Sequence, residues 1–348
     1  RNLRDSLIIV TQFAKEYFKT NLQKHSEGKA VGLAYLKERG IRGDMIEKFE
    51  LGYSLDQWEG LAKEASRNGY KPEYLDKTGL TIPKENRRYD RFRARVIFPI
   101  HSLSGNVIGF GGRILKQNEK TAKYLNSPES EIYHKSKVLY GIYQAKKAIT
   151  QHDKCYLVEG YTDVIALHQA GIENVVASSG TSLTEDQIRL IKRFTPNVTV
   201  IYDGDPAGIK ASLRGIDLIL EQGLNVKVLM LPEGEDPDSF SKQQNASDFQ
   251  EYILKNEEDF ITFKTKLLSE EAKNDPVKRA NLITEIVRSI ATIPEGITRS
   301  VYIKDCSTML DIDEKVLYAE TNKIRSNKAK QKYRQEQANK DKDKKSNQ

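Results

Sequence analysis

The chain reads as an α/β protein: a parallel sheet flanked by helices, with an amino-terminal α+β domain before it and a carboxy-terminal helical bundle after it. Three observations predict this. Short apolar runs alternate with amphipathic stretches across residues 152–232, the amino-terminal third combines helical periodicity with a long hairpin pattern, and beyond residue 243 only helical periodicity remains. At 348 residues the chain has room for about two or three domains and a sizeable core.

In chain order, residues 1–135 form the mixed domain. RDSLIIVTQFAKEYFKTNLQ and GKAVGLAYLKERG carry helical spacing. RYDRFRARVIFPIHSLSGNVIGFGGRIL then reads as a hairpin turning at Ser-Gly-Asn. Arg88, Arg91, Arg93 and Arg95 fall on its first strand, and at period two Arg91, Arg93 and Arg95 share a face opposite Phe92, Ala94 and Val96. Three same-face arginines repel one another unless an anion spans them, so the spacing predicts a polyphosphate-binding face, with a solvated strand face as the alternative. Arg113 after Gly-Phe-Gly-Gly, and Lys123, Tyr124 and Asn126 in TAKYLNSP, extend the pattern.

Residues 136–242 hold the alternating segment. KCYLVEG, NVVASSG, NVTVIYDGD and NVKVLMLPEG read as four buried strands. Between them lie three helices. YTDVIALHQAG closes at Gly171, SLTEDQIRLIKRF opens at Ser182 with Glu185 at capping-box spacing, and PAGIKASLRGIDLILEQG has Pro206 at its start and Gly223 beyond its end. Residues 243–322, with ANLITEIVRSIATI and VYIKDCSTMLDI, predict a helical bundle without strands and without evident chemistry. From Lys323 to 348 the sequence is polar and basic, and predicts a disordered tail or linker that serves either nucleic-acid contact or as a solvated tether.

Composition narrows the class of function. A net charge of +7 and a pI near 9.0 favour an acidic partner, and a mean hydropathy of -0.62 with no apolar run of membrane length argues against a spanning segment. The start, RNLRDSLIIV, is too short in apolar residues for a signal peptide and lacks an initiator Met, which predicts a fragment of a longer protein. Cys155 and Cys306 offer neither a disulfide framework nor a zinc site, and the expected compartment is the reducing cytoplasm.

The chemistry is carried by carboxylates. Parallel sheets bind ligands at the carboxyl ends of their strands. Glu159 ends the first strand, Asp203 and Asp205 the third, and Asp236 and Asp238 follow the fourth. Each alone reads as a turn residue, but together they form an oxygen-only donor set suited to a hard divalent cation. Gly204 lets the backbone bend so that its flanking aspartates need not face opposite ways.

VEGYTDV, IYDGDPAG and EGEDPD, in this order on alternating strands and helices, resemble the Toprim domain of primases, topoisomerases and some nucleases. RYDRFRARVIFPI, VIGFGGR and KYLNSPES resemble more narrowly the bacterial replicative primases of the DnaG type. The likeness covers residues 1 to about 320 and implies the RNA-polymerase core: amino-terminal domain, Toprim domain and bundle. It further implies a zinc module upstream and a helicase-binding module downstream, both outside this chain, so no zinc is expected here.

By the same resemblance, Glu159, Asp203 and Asp205 are catalytic metal ligands for Mg²⁺ or Mn²⁺, two ions or more, with Asp236 and Asp238 as further acidic members. Asp163 either joins them or braces its helix. Arg113, Lys123, Tyr124, Asn126 and Lys135 become nucleotide-binding residues, while Arg39, Arg91, Arg93 and Arg95 become DNA-binding residues. The implied activity is synthesis of an RNA primer from ribonucleoside triphosphates on single-stranded DNA, with the replicative helicase as partner and no membrane. A Toprim nuclease or topoisomerase, and a non-catalytic nucleotide sensor, are the alternatives. The sensor suffers from the carboxylates, which repel a polyanion unless metals are present.

Overall fold

The computed structural model describes residues 2–116, 121–180 and 182–346. In the amino-terminal region an antiparallel sheet runs β1 (Gly52–Ser54), β2 (Arg95–His101), β3 (Val107–Ile114) and β4 (Tyr124–Asn126), in that spatial order. Helix α1 (Leu3–Lys24) lies across it. It buries Leu7, Val10, Ala14, Phe18 and Leu22, a stripe at three- and four-residue spacing. The Phe18 ring meets Phe110 of β3 edge-on at 5.3 Å. The β2–β3 hairpin turns through Ser104–Gly105–Asn106 as its sequence predicts, closed by the Ser102 N–H donating to the Asn106 carbonyl at 2.8 Å.

The strand preceding it differs from expectation. Arg87–Asp90 pairs with Thr81–Lys84 in a separate ribbon, and the chain then turns through residues 91–94 before β2 begins. Ala94 takes a left-handed backbone (φ 58°), which breaks the period-two alternation. Arg91, Arg93 and Arg95 therefore share no strand face. Arg95 is buried, where its guanidinium donates to the carbonyls of Gly112, Ala122 and Lys123. That is a structural role, and it corrects the reading of Arg95 as a DNA contact.

The second sheet has five strands: β5 (Cys155–Val158), β6 (Val175–Ala177), β7 (Asn197–Tyr202), β8 (Asn225–Met230) and β9 (Glu258–Asp259), in the spatial order β9-β8-β7-β5-β6. The four predicted strands pair in parallel. The antiparallel edge strand β9 was not legible, because two residues are too few to show alternation. Both faces are buried. Leu157, Val200 and Val228 pack into one core, while Tyr156, Val158, Ile201 and Leu229 pack into the other.

Helices α2 (Ile142–His152), α3 (Tyr161–Gln169), α4 (Glu185–Lys192) and α5 (Pro206–Glu221) cover this sheet. Gly171 follows α3 with φ +85°. The cap of α4 is not Ser182 with Glu185. Thr184 accepts from the Gln187 N–H at 3.2 Å, and the Gln187 side chain accepts from the Thr184 N–H at 3.1 Å. The capping box thus starts two residues later than predicted, because Gln187 is as good a partner as Glu185 and also binds the Lys135 and Val138 carbonyls.

Two helices, α6 (Pro237–Gln243) and α7 (Ala246–Asn256), pack on the second sheet and α3. The bundle after them comprises α8 (Phe260–Ser269), α9 (Pro276–Thr292), α10 (Gly296–Leu310) and α11 (Glu314–Ser346). Asn245, Asp259 and Asp275 cap three of these by accepting from backbone N–H groups two or three residues on.

The segment expected to be a disordered tail is helical through Ser346, and the chain's last two residues lie outside those described. Leu317 and Thr321 are buried in the bundle, Ile324 packs against it, and Arg325 donates to the Ala291 and Ile293 carbonyls at 2.8 and 3.1 Å. These anchored turns supply the costly nucleus, and the Lys, Gln, Ala and Arg residues that follow propagate a helix cheaply. Low apolar content had indicated only that the segment builds no core of its own. Cutting after Asn322 should therefore lower stability by about 2 kcal/mol through lost burial and hydrogen bonds, whereas cutting after Lys332 should leave the melting midpoint unchanged. Thermal melts of the two truncations check this.

Candidate active site

The strand order of the second sheet reverses between β5 and β7. From β5 the chain moves outward to β6, then crosses back to β7 on the other side. Such a reversal opens a crevice at the carboxyl ends of the two diverging strands. Glu159 follows β5 and Asp203 follows β7, so these two carboxylates flank that crevice. Each acidic loop is succeeded by a helix: α3 after Glu159, α5 after Asp205 and α6 after Asp236.

Gly204 sets the geometry between the two aspartates. Its N–H donates to the Glu235 carbonyl at 2.9 Å, and its own carbonyl accepts from Gly234 at 3.4 Å. A Cβ at this position would lie 1.9 Å from the Pro232 carbonyl oxygen. The backbone therefore passes where only glycine fits, clamping the Asp203–Asp205 loop to the Pro232–Glu235 loop. The predicted bend is present, with the Asp205 N–H turned back onto the Asp203 carbonyl at 2.7 Å.

The carboxylates feel one another. Burial pushes the Asp203 carboxyl up to about 6, with the charges of Glu159, Asp236 and Asp205 adding to the effect. Burial likewise raises Asp163 to about 7, reinforced by Asp203, Asp236 and Asp238. Asp163 also braces its helix by accepting from the Gly160 N–H at 3.2 Å. Asp236 caps α6 by accepting from the Ser239 N–H at 2.7 Å. Asp238 is buried and already paired, with Arg39 at 2.7 Å and Lys242 at 3.4 Å. The donor set is all oxygen and mutually repelling, which suits a hard divalent cation in kind. Among the described residues, no group of three His, Cys, Asp or Glu is arranged to hold one ion.

A basic and aromatic wall faces this edge from the first sheet. Arg113 and Tyr124 are direct cross-strand partners. The Arg113 guanidinium sits 4.7 Å from the centre of the Tyr35 ring and 5.8 Å from that of Tyr124, and its buried Nε has no hydrogen-bond partner. Lys123 is exposed, with its Nζ 6.0 Å from the Tyr124 ring. Asn126 bridges the two sheets, accepting from the Tyr161 hydroxyl and donating to the Ser179 carbonyl at 3.4 Å. Lys135 lies on the loop held by Gln187, half-buried beside Asn126 and Ser179.

The predicted DNA contacts disperse. Arg39 joins the acidic edge through Asp238. Arg91 is half-buried and donates to the Asn126 carbonyl at 3.3 Å. Arg93 stacks at 3.8 Å on Trp58 and pairs with Asp56 at 2.9 Å, while Arg88 pairs with Asp76. Sequence reasoning missed Trp58, the chain's one tryptophan, which is 60 % exposed and borders a cleft of about 970 Å³ with Tyr89, Lys63, Arg67, Lys84 and Arg87. It also missed Tyr35, although its place four residues before Arg39 on a helical stretch was a legible pairing signal.

Comparison with known sequences and structures agrees with this layout. Three sequence families match: "DNA primase catalytic core, N-terminal domain" over residues 17–146, "Toprim-like" over 156–241, and "DnaB-helicase binding domain of primase" over 263–315. The last overturns the expectation that a helicase-binding module lies wholly outside the chain; bare helical periodicity had given no hint of it. The chain is 38% identical over 322 residues to a DNA primase of Halalkalibacterium halodurans, covering 91% of the chain and 53% of that protein. To a Pseudomonas aeruginosa DNA primase it is 37% identical over 289 residues, 81% of the chain and 43% of the relative. The chain thus spans about half the length of these relatives. Among solved structures, a DNA primase domain from Pseudomonas aeruginosa superposes with a TM-score of 0.83 at 33% identity, over 92% of this chain and 99% of that one. A DnaG primase catalytic domain bound to single-stranded DNA gives 0.78 at 33% identity, over 88% and 99%.

Proposed function

This chain belongs to the DnaG-type family of bacterial DNA primases, and from that premise we propose that it synthesises RNA primers from ribonucleoside triphosphates on a single-stranded DNA template. The observation that carries the reading is the juxtaposition at one crevice of Glu159, Asp203 and Asp205 with the Arg39, Arg113 and Tyr124 wall. Acidic groups to hold cations and basic groups to hold a triphosphate meet across two sheets.

In this reading Glu159, Asp203 and Asp205 hold the metal ions, Mg²⁺ or Mn²⁺. Asp236 and Asp163 shape the field while capping α6 and bracing α3, and Asp238 anchors Arg39 instead of binding metal. Two such ions, when bound, would supply Lewis acidity to the primer 3′-hydroxyl and to the departing pyrophosphate. Arg113 and Lys123 neutralise the triphosphate as charge builds on it, and the Tyr124 ring offers a face beside them. Lys135, half-buried, closes the far side of the nucleotide site.

We assign the template path to the Trp58 cleft. An exposed tryptophan ringed by Lys63, Lys84, Arg87 and Arg93 combines a stacking platform with phosphate contacts, the pattern that holds single strands without reading sequence. Replacing Trp58 by Ala should weaken single-strand affinity about tenfold with the salt slope unchanged, since a base stack is worth about 1–3 kcal/mol. Replacing Arg91 and Arg93 together should flatten the log–log salt dependence by about 0.7 for each phosphate that is no longer neutralised. Fluorescence anisotropy with oligodeoxynucleotides between low and moderate salt separates the two effects. A double variant with lowered affinity but an unaltered slope would make those arginines structural.

The replicative helicase is the protein partner in this proposal, met through the bundle that matches a primase helicase-binding domain, and the setting is the cytoplasm. Among the described residues no helix is long and apolar enough to cross a membrane. The activity assay supplies single-stranded template and labelled ribonucleotides with Mg²⁺. Template-dependent RNA of growing length supports the proposal, a shortened template would indicate a nuclease, and metal-independent nucleotide binding without product would indicate a sensor.

A further inference from the structure

We propose that Tyr35 is a positioning residue whose ring aims Arg113 at the triphosphate, while its hydroxyl holds Arg39 beside Asp238 at the edge of the other sheet. This inference rests on the nucleotide-polymerising function proposed above.

Tyr35 stands at the centre of a chain of contacts that crosses two domains. Its hydroxyl accepts a hydrogen bond from Arg39 Nη1 at 2.8 Å. The other terminal nitrogen of Arg39, Nη2, donates to Asp238 Oδ2 at 2.7 Å, 199 residues away in sequence. On its ring face Tyr35 carries the Arg113 guanidinium at 4.7 Å, with Tyr124 on a second side at 5.8 Å. Arg113 is thus gripped by two π faces while its Nε–H is buried without an acceptor. A buried N–H without an acceptor is costly. An anion reaching this fork from the crevice would satisfy it, and a guanidinium suits two-point contact with phosphate oxygens.

The backbone supports the aim. Residues Gly28–Leu33 wind as a π-helix immediately before Tyr35, and the extra residue in that wide turn resets which side of the helix faces the sheet. Gly28 is pressed against the Asn21 carbonyl, where a Cβ would lie 1.8 Å away, so the π turn is held in place by α1. The result brings Tyr35 against Arg113 of β3 and places Arg39 within reach of α6.

The prediction distinguishes ring from hydroxyl. Tyr35→Leu keeps bulk but removes the π face, and should raise the KM for ribonucleotides about fivefold to tenfold at nearly unchanged kcat, the range expected for a part-buried cation–π contact. Tyr35→Phe keeps the face and loses only the Arg39 hydrogen bond, and should restore KM to within about twofold of the native value. Single-strand affinity should not change in either variant. Calorimetric binding of Mg²⁺–GTP to each protein runs in parallel and should show the same ranking. If Tyr35→Leu leaves both KM and nucleotide affinity unaltered, or if both variants lose affinity equally, the positioning role is overturned. If the native chain binds Mg²⁺–GTP but makes no RNA, the polymerase reading fails, and the calorimetric ranking alone decides the role of Tyr35. A Tyr35→Leu chain that fails to fold leaves Arg113→Lys to decide: it keeps the charge but loses the planar stack, and should reproduce the KM increase, an unaltered KM overturning the proposal.

Discussion

Asp203→Asn should reduce primer synthesis by about 10³-fold with Mg²⁺, while single-strand affinity stays equal or rises slightly. The size follows from the several kilocalories of transition-state stabilisation that ligand-held cations provide, at about 1.4 kcal/mol for each tenfold. The substitution preserves shape and removes one negative charge. Burial and the charges of Glu159, Asp236 and Asp205 all work against the ionised Asp203, so the metal-free variant should melt no lower than the native protein. The two should diverge when cation is added. Millimolar Mg²⁺ or Mn²⁺ should raise the melting midpoint of the native chain and do so much less for the variant, because a ligand stabilises only the state that binds it. Glu159→Gln and Asp205→Asn should behave alike. Near-normal synthesis by any of the three, measured by primer extension on a single-stranded template, would remove that residue from the ligand set.

Gly204→Ala should be nearly as damaging although it removes no functional group. The added methyl would meet the Pro232 carbonyl oxygen at 1.9 Å, with the Pro232 carbonyl carbon at 2.5 Å and Glu233 Cα at 2.9 Å. Backbone on the far side cannot rotate away as a side chain can, so the two acidic loops must separate. That breaks the hydrogen bonds Gly204 makes with Glu235 and Gly234 and moves Asp203 and Asp205 relative to Asp236. A misplacement of about 1 Å at reacting groups costs about 10²-fold in rate, and the overpacking itself costs about 1–3 kcal/mol of stability. Activity and thermal melts on the same preparation separate the terms. A fully active Gly204→Ala chain would show that the loops need not touch during the reaction.

The sequence by itself determined the parallel sheet, and the reason is local. Strands β5 and β6 are continuous apolar runs buried on both faces, β7 interrupts its run only with the buried Thr199 after Asn197, and β8 is apolar from Val228 after the exposed Asn225 and Lys227. Each intervening helix has its own start and stop signals, so no long-range contact is needed to see them. The carboxylates were legible for the same reason: a charge directly after a buried strand has to lie at the sheet edge. Gly204 was legible as a bend, but not as a contact with Pro232, which comes from the adjacent strand's loop.

Tertiary structure alone decided the cationic side of the site. Period-two spacing put Arg91, Arg93 and Arg95 on one face, and a single left-handed residue, Ala94, dispersed them: one is buried against carbonyls, one stacks on Trp58, and one lies beside Asn126. Long flexible side chains take partners that their own segment does not specify. Asp238 shows the same limit, for its partner Arg39 lies 199 residues away in sequence and is brought to it only by the fold. The last helix shows it in backbone form. A polar composition excludes a private core but not a helix, and only the packing of Leu317, Thr321 and Ile324 on the bundle supplies the nucleus from which the basic segment winds.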